Sequence, residues 1–250
     1  MTLTSAVGIL PALSLSAGGN GRSAQELAEI AEEGQRALDG ASAEAVIEWA
    51  VETFGERFCV TSSFADGVLA HVAGRVAPGV EVVFLDTGLH FDETLQVRDL
   101  VRATIPVTVV SVRPALTVGQ QDAQYGPRLF SRSPDECCAM RKVEPLERTL
   151  ASYDAWAAGL RRADGPCRAG VREVTFEATR GKVKVAPLAR WSDEDVEAYI
   201  RRYDVPVNPL LSQGYASVGC WPCTRRTREG EDVRGGRWAL FDKTECGLHA

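Results

Sequence analysis

The feature that most constrains the fold of this chain is a regular alternation of apolar runs and amphipathic stretches over residues 58–112. Strands are predicted at Phe58 to Thr61, Glu81 to Leu85 and Val107 to Val112, and helices at Asp66 to Arg75 and Asp92 to Ala103. Strands that alternate with helices pair in parallel through βαβ units. The pattern therefore predicts an α/β fold with a doubly wound, mainly parallel sheet.

Further elements are predicted on both sides of this alternation. Ser23-Ala24-Gln25-Glu26 is a capping box for a helix to about Leu38, and Ser42 begins a second helix. Beyond the alternation, predicted elements are a helix from Ser133-Pro134-Asp135-Glu136, a strand at Ala155 to Gly159, and a helix from the Ser192 cap to about Tyr203.

Charge and cysteine content narrow the function classes. Acidic residues outnumber basic ones by 34 to 28, which argues against a nucleic-acid-binding surface. No stretch approaches the roughly 18 apolar residues of a membrane span, so no membrane partner is expected. Seven cysteines without an export signal favour a cytoplasmic protein over one with a disulfide framework.

Two loops are candidate nucleotide-binding elements. Ser62-Ser63-Phe64-Ala65 and Asp86-Thr87-Gly88 each follow a predicted parallel strand and precede a helix. Ligands of such sheets bind beyond the carboxyl ends of the strands, where helix N-termini favour anions. The alternative is that small residues here only make tight turns, and spacing alone does not decide between the two.

The cysteines form two pairs, Cys137-Cys138 and Cys220-Trp221-Pro222-Cys223. Four thiolates from two loops can close a soft-metal site. Adjacent cysteines on a helix point about 100° apart, which suits one tetrahedral zinc ion poorly and favours an iron-sulfur cluster. A vicinal disulfide or unligated buried cysteines remain alternatives.

The other cysteines divide differently. Cys59 lies within an apolar strand and is expected to be a small core residue, and Cys167 has no assigned partner. Cys246 lies near the end of the chain between Lys243 and His249. Cationic neighbours lower a thiol pKa and enrich the nucleophilic thiolate, so Cys246 is a candidate nucleophile; the alternative is an incidental terminal cysteine.

These motifs together resemble one family. The likeness rests on Cys137-Cys138, Arg141 to Leu146, Trp156 to Arg162, Gly219 to Arg225 and Glu245 to His249, which occur in this order. The chain is similar to the assimilatory adenylyl-sulfate (APS) reductases, the thioredoxin-dependent members of the PAPS/APS reductase family that carry a four-iron four-sulfur cluster. Relatives that reduce 3′-phospho-APS commonly lack the cluster cysteines, so all four together favour APS.

The resemblance implies a fold like that of the ATP pyrophosphatases and a [4Fe-4S] cluster on Cys137, Cys138, Cys220 and Cys223. It also implies that Cys246 attacks the sulfur of APS to give an S-sulfocysteine and AMP, and that thioredoxin or a similar dithiol then releases sulfite. This reaction belongs to sulfate assimilation and cysteine biosynthesis. Expected substrate-binding residues are Ser62, Ser63, Phe64, Leu85, Thr87, Lys142, Gly159, Arg162, Arg168, Arg234, Arg237 and His249.

Three segments are expected from this interpretation. Residues 1–22 would be a disordered tail, residues 23–223 the nucleotide- and cluster-binding domain, and residues 224–250 a mobile segment that carries the catalytic cysteine. Two rival hypotheses remain: a reductase of 3′-phospho-APS, and a non-catalytic nucleotide-binding protein with a structural zinc or iron-sulfur site. The oligomeric state cannot be deduced from these motifs.

Overall fold

The computed structural model describes residues 21–238 together with residues 241, 243, 247 and 248. In chain order its strands are β1 Phe58–Thr61, β2 Glu81–Leu85, β3 Thr108–Val112, β4 Ala155–Ala158, β5 Val174–Glu177 and β6 Lys182–Val185. They form one sheet in the order β3-β2-β1-β4-β6-β5, in which only the β5–β6 pair is antiparallel. The prediction of a mainly parallel α/β sheet is confirmed.

Helices flank the sheet. They are α1 Ala24–Leu38, α2 Ala43–Phe54, α3 Val68–Val76, α4 Asp92–Thr104, α5 Val118–Tyr125, α6 Leu129–Arg132, α7 Pro134–Cys138, α8 Glu144–Leu150 and α9 Asp193–Tyr203. A π turn at Ala139–Val143 joins α7 to α8. Within the described residues, no helix has both the length and the apolar character that crossing a membrane requires.

Side-chain caps form at three of the four helix starts that a serine cap predicts. The hydroxyls of Ser23, Ser42 and Ser192 each accept a backbone N–H of the first turn, and Ser23 and Ser192 complete capping boxes. Ser133 is different: its side chain makes no capping hydrogen bond, although Pro134 begins α7 as predicted. Its backbone, at φ −141° and ψ 79°, departs from the geometry of a capping serine.

The boundaries of the predicted strands and helices agree closely with those in the structure. The start of α3 differs because of a side-chain hydrogen bond. β1 and β2 have the predicted bounds. α3 begins at Val68 rather than Asp66, because the Asp66 carboxylate accepts the Val68 N–H at 2.9 Å and caps the helix from outside. The β5–β6 hairpin is not predicted, because each strand has only four residues and Lys182 and Lys184 interrupt the apolar pattern of β6.

Two clusters of buried side chains pack on opposite faces of the sheet. In β1, Val60 belongs to the larger cluster under α1, α2 and α3, and Cys59 belongs to the cluster formed with Leu146 and Leu150 of α8. This alternation follows from the two-residue period of a strand. Cys59 is fully buried, as expected of a core residue, and burial raises the pKa of its thiol.

The described parts of both predicted terminal segments pack against the domain. Arg22 donates to the Thr53 carbonyl at 2.7 Å and pairs with Asp154 at 3.2 Å, so the expected tail cannot extend to residue 22. At the other end, Arg225 and Trp238 make backbone hydrogen bonds to Gly236 and Cys223, and Trp238 is 2% exposed. Residues 224–238 are therefore part of the packed structure, and the expected domain boundary at residue 223 stays a prediction.

Candidate functional site

The site lies where three parallel strands end at the same edge of the sheet. β1 lies between β2 and β4. The strands β2 and β3 therefore follow on one side of β1, and the chain continues with β4 on its other side. Such a switch point opens a crevice at the carboxyl ends of the strands. The loops that follow β1, β2 and β4 carry Ser62 and Ser63, Thr87, and Gly159, which are all predicted site residues.

The loop after β1 turns sharply. The Ser62 N–H donates to the Val83 carbonyl at 3.1 Å, and the Ser62 hydroxyl accepts the Phe64 N–H at 3.2 Å. Ser63 is exposed. Phe64 has a φ of 53°, and its ring is fully buried against Phe84 with the ring centroids 5.3 Å apart. Phe64 as a whole is 0% exposed, so its predicted role as a substrate contact is reduced to supporting the loop from beneath.

The loop after β2 connects the carboxyl edge of the sheet to the cysteines. Thr87 is 1% exposed, and its hydroxyl accepts the Leu89 N–H at 3.2 Å and lies 3.4 Å from Cys220 Sγ. The Thr87 side chain thus contacts the cysteine site rather than an open nucleotide pocket. Leu85, at the end of β2, is only partly buried, and its carbonyl lies 2.9 Å from His90 Nε2.

The two predicted cysteine pairs meet in one small cavity. Cys137 and Cys138 at the end of α7, together with Cys220 and Cys223, line this cavity with Leu89, Phe130, Pro134, Arg141 and Lys142. No disulfide bond links the six cysteines of the described residues. Burial and the neighbouring thiols raise the pKa of Cys137 and Cys223 to about 11 each. The thiols of Cys137 and Cys223 are therefore protonated near neutral pH when no metal is bound.

The π turn after the cysteine pair places two cations beside the thiols. Pro145 lacks the N–H that a continuous α-helix would donate to the Arg141 carbonyl. The helix is wider here and forms a π turn. Arg141 and Lys142 are 3% and 9% exposed. Arg141 donates to the Thr87 carbonyl at 2.5 Å, and Lys142 lowers the pKa of Cys223 against the effect of burial.

Trp238 organises a group of cations that the sequence did not reveal. Its ring centroid lies 4.6 Å from the Arg237 guanidinium carbon, and 5.7–5.9 Å from Lys142, Arg234 and Lys243. The indole N–H is buried and has no acceptor among the described residues. Four cations around one buried ring create a strongly positive region, which favours an anionic ligand.

Arg237 also has fixed backbone surroundings. Its guanidinium donates to the Ser217 hydroxyl and the Val218 carbonyl, each at 3.2 Å. A Cβ atom on Gly219 would lie 2.2 Å from this guanidinium, so the glycine leaves the space that Arg237 occupies. The predicted residues Arg234, Arg237 and Lys142 are thus brought together around Trp238.

The thiols have the right chemistry for a metal group but not the arrangement of a single-ion site. Four sulfur donors from two chain segments line one cavity. Among the residues that the structure describes, no group of three or more His, Cys, Asp or Glu side chains could hold one metal ion. The four thiols as placed therefore do not form a mononuclear zinc site.

The loop after β4 carries the remaining predicted arginines. Arg168 pairs with Asp164 at 3.0 Å, and Arg161 bridges Asp164 and Asp193 at 2.9 Å each. Arg162 donates to the Val171 carbonyl at 2.7 Å and lies 3.6 Å from the buried Glu173 carboxylate. These contacts give Arg162 a role in holding the loop.

The remaining predicted residues, Cys246 and His249, lie outside the described residues. Their described neighbours contact the domain: Lys243 pairs with Asp135, two residues before Cys137. Gly247 and Leu248 pack beside Arg180. Trp238 is the residue that sequence reasoning missed, and the only signal for it was its position directly after Arg237.

Comparisons with known proteins point to one family. Residues 58–226 match the model of the phosphoadenosine phosphosulfate reductase domain. The adenosine 5′-phosphosulfate reductase of Streptomyces coelicolor is 57% identical over 91% of this chain and 97% of its own length. The reductase of the same name from Rhodococcus opacus is 48% identical over 90% of this chain and 95% of its own length.

Solved structures agree on the fold. A phosphoadenylyl-sulfate reductase from Candida auris, crystallised as a phosphate complex, superposes with a TM-score of 0.67 at 26% identity, covering 86% of this chain and 100% of its own. The FMN adenylyltransferase of Candida glabrata superposes with a TM-score of 0.52 at 10% identity, covering 82% of this chain and 78% of its own. Both comparisons support an α/β fold like that of the ATP pyrophosphatases.

Proposed function

The chain belongs to the phosphoadenosine phosphosulfate reductase family, and we propose that it reduces adenosine 5′-phosphosulfate to sulfite and AMP in sulfate assimilation and cysteine biosynthesis. The observation that carries the proposal is the gathering of four thiols and Lys142 in one cavity beside the nucleotide edge of the sheet. High identity to proteins named adenosine 5′-phosphosulfate reductases supports the choice of substrate.

We assign the cofactor to the same cavity. Cys137, Cys138, Cys220 and Cys223 would hold a [4Fe-4S] cluster, since they supply four sulfur donors but no single-ion site in the described residues. When bound, such a cluster joins the two cysteine segments and adds negative charge beside Lys142. The high thiol pKa values mean that ligation must displace protons from the cysteines.

The cations around Trp238 would bind the phosphosulfate. Lys142, Arg234 and Arg237 provide positive charge, and the buried indole N–H offers a donor that the described residues do not satisfy. Arg168, Ser62 and Ser63 would contact the nucleotide, together with Leu85 and Gly159 at the strand ends, and the buried Phe64 would support the loop that carries the two serines. Arginine suits the anionic groups because its planar fork pairs with two oxygens.

The chemistry would take place in two stages, the formation of an S-sulfocysteine and its release by a dithiol. The Cys246 thiolate attacks the sulfur of the substrate; a sulfur–sulfur bond forms, the sulfur–oxygen bond to phosphate breaks, and AMP leaves with the electron pair. A thiolate of thioredoxin or a similar dithiol then attacks the Cys246 sulfur and expels sulfite. The second thiol of the dithiol displaces Cys246, which leaves an oxidised dithiol and the free enzyme. His249 would orient the substrate or tune Cys246.

Chain organisation and location follow from this chemistry. Within the expected segment 224–250, the residues that follow the packed Trp238 would present Cys246 first to the substrate and then to the dithiol, because thioredoxin is too large to enter a nucleotide pocket. A cytoplasmic location fits a mechanism that depends on reduced thiols.

The decisive assay compares two substrates. Anaerobically purified protein is supplied with a dithiol and either adenosine 5′-phosphosulfate or its 3′-phosphorylated form, and sulfite is measured. Turnover of the first in strong preference to the second supports the proposal. Preference for the 3′-phosphorylated substrate would establish the rival reductase, and the absence of sulfite from either would establish the non-catalytic alternative.

A further inference from the structure

Arg180 lies in the turn that connects β5 to β6 and contacts the end of the chain. Its guanidinium Nη1 donates to the Leu248 carbonyl at 3.2 Å, and Nη2 donates to the Gly247 carbonyl at 3.4 Å. The Arg180 side chain is only 7% exposed. Gly247 and Leu248 are the two residues that directly follow Cys246 in the chain.

Other contacts fix the direction of this guanidinium. Nη1 pairs with Glu177 at 2.5 Å, and Nε pairs with Glu147 of α8 at 3.1 Å. The guanidinium carbon lies 5.9 Å from the centre of the Trp156 ring. Because these partners come from β5, α8 and β4, the arginine is oriented by the body of the domain and not by the segment it binds.

Apolar packing holds the same two residues from another side. Leu248 packs against the buried cluster that includes Leu146, Leu150 and Trp156. Gly247 has a φ of 80°, and a Cβ atom there would lie 3.4 Å from Val143. The polar and apolar contacts together make a docking position for residues 247 and 248.

We propose that Arg180 is a positioning residue that acts on Cys246 through the backbone carbonyls of Gly247 and Leu248. By holding residues 247 and 248 against the domain, it restrains Cys246, which is bonded directly to Gly247, and slows the reaction of the Cys246 thiol with reagents in solution. The catalytic step that this docking serves rests on the proposed function, whereas the docking itself does not.

The test measures alkylation of cysteines by iodoacetamide, without substrate, with each labelled peptide identified by mass spectrometry. Arg180→Gln should speed the labelling of Cys246 by about tenfold, the factor that corresponds to one charge-assisted hydrogen bond. The exposed Cys167 serves as an internal control, and its labelling rate should be unchanged. Arg148→Gln is the matched control variant, because Arg148 pairs with Glu144 and makes no described contact with residues 247 and 248.

A second variant separates docking from folding. Leu248→Ala weakens the same docked position and leaves Arg180 and its carboxylates untouched. It should also speed the labelling of Cys246, and the double variant should gain less than the product of the two single effects, because one docked state is lost only once. Wild-type labelling rates in both Arg180→Gln and Leu248→Ala would overturn the proposal.

A kinetic readout then distinguishes this proposal from the proposed function. In single-turnover reactions without reductant, Arg180→Gln should slow the formation of a sulfite adduct on Cys246 and leave the affinity for AMP unchanged. If the wild-type protein forms no adduct, the proposed function fails, while the labelling result still decides whether Arg180 docks the segment. An adduct rate equal to wild type, with faster labelling, would overturn the positioning role.

Discussion

Glu173 is a buried carboxylate that contacts Arg162 in the loop after β4, and removing its charge should lower the free energy of unfolding substantially. The residue is 1% exposed and accepts hydrogen bonds from Arg190 at 2.5 Å and Gln35 at 3.0 Å, with Arg162 at 3.6 Å. Burial raises the pKa of Glu173, but the hydrogen bonds from Gln35 and Arg190 outweigh it and lower this pKa from 4.5 to about 2. At about 1.4 kcal/mol per pKa unit, this difference is worth about 3 kcal/mol at pH 7.

The pH dependence gives the sign of the effect. Because the folded pKa lies below the unfolded one, the stabilisation is complete above about pH 5 and is lost as the pH falls through 4.5 towards 2. At pH 3.5 about 2 kcal/mol of it should remain. Glu173→Gln keeps the size of the side chain and removes the charge, so it should remove this pH-dependent part.

The measurement is urea unfolding of wild type and Glu173→Gln at pH 7 and pH 3.5. Glu44→Gln is the control, because Glu44 forms an exposed pair with Arg75 at 3.8 Å and should change stability by less than about 0.5 kcal/mol. We expect the difference between wild type and Glu173→Gln to shrink at the lower pH. A difference below about 1 kcal/mol at pH 7, or one that is equal at both pH values, would refute this reasoning.

Three further predictions concern the site. Cys220→Ser should lose bound iron and acid-labile sulfide, which are measured after anaerobic purification, whereas the control Cys167→Ser should retain both. A full iron content in Cys220→Ser would contradict the ligand assignment. Arg237→Ala should weaken substrate binding by about 1.5 to 3 kcal/mol with the iron content unchanged, and unchanged affinity in titration calorimetry would exclude the contact. Arg162→Ala should lower the free energy of unfolding by about 1 to 2 kcal/mol, with a smaller effect on substrate affinity, because the described partners of Arg162 are Val171 and Glu173. A large loss of substrate affinity with unchanged stability would restore the substrate role predicted from the sequence.

The central strands could be predicted from the sequence because their signals are local. β1 and β2 are short apolar runs, each bounded by turn-forming or polar residues, and their predicted bounds match the structure. The β5–β6 hairpin could not be recognised in the same way. Lys182 and Lys184 interrupt β6, and their partners, such as Glu177, are identified only after the hairpin has formed.

The candidate site shows the same division between local and distant contacts. The cysteine pairs are visible as spacing, and the structure gathers them in one cavity. Trp238 could not be predicted as a site residue, because its contact with Lys142, which is far away in the sequence, exists only once the chain has folded. For Phe64, loop position suggested a contact with substrate, whereas the ring is buried against Phe84.

The most direct test of the proposed mechanism is to trap its covalent intermediate. The anaerobic protein is incubated with adenosine 5′-phosphosulfate and no reductant, digested, and analysed by mass spectrometry. We expect one sulfite-sized adduct on the peptide that contains Cys246, release of AMP in equal amount, and no adduct in Cys246→Ser, which should still bind the substrate. An adduct on Cys59 or Cys167, or sulfite production by Cys246→Ser in the presence of a dithiol, would contradict the mechanism.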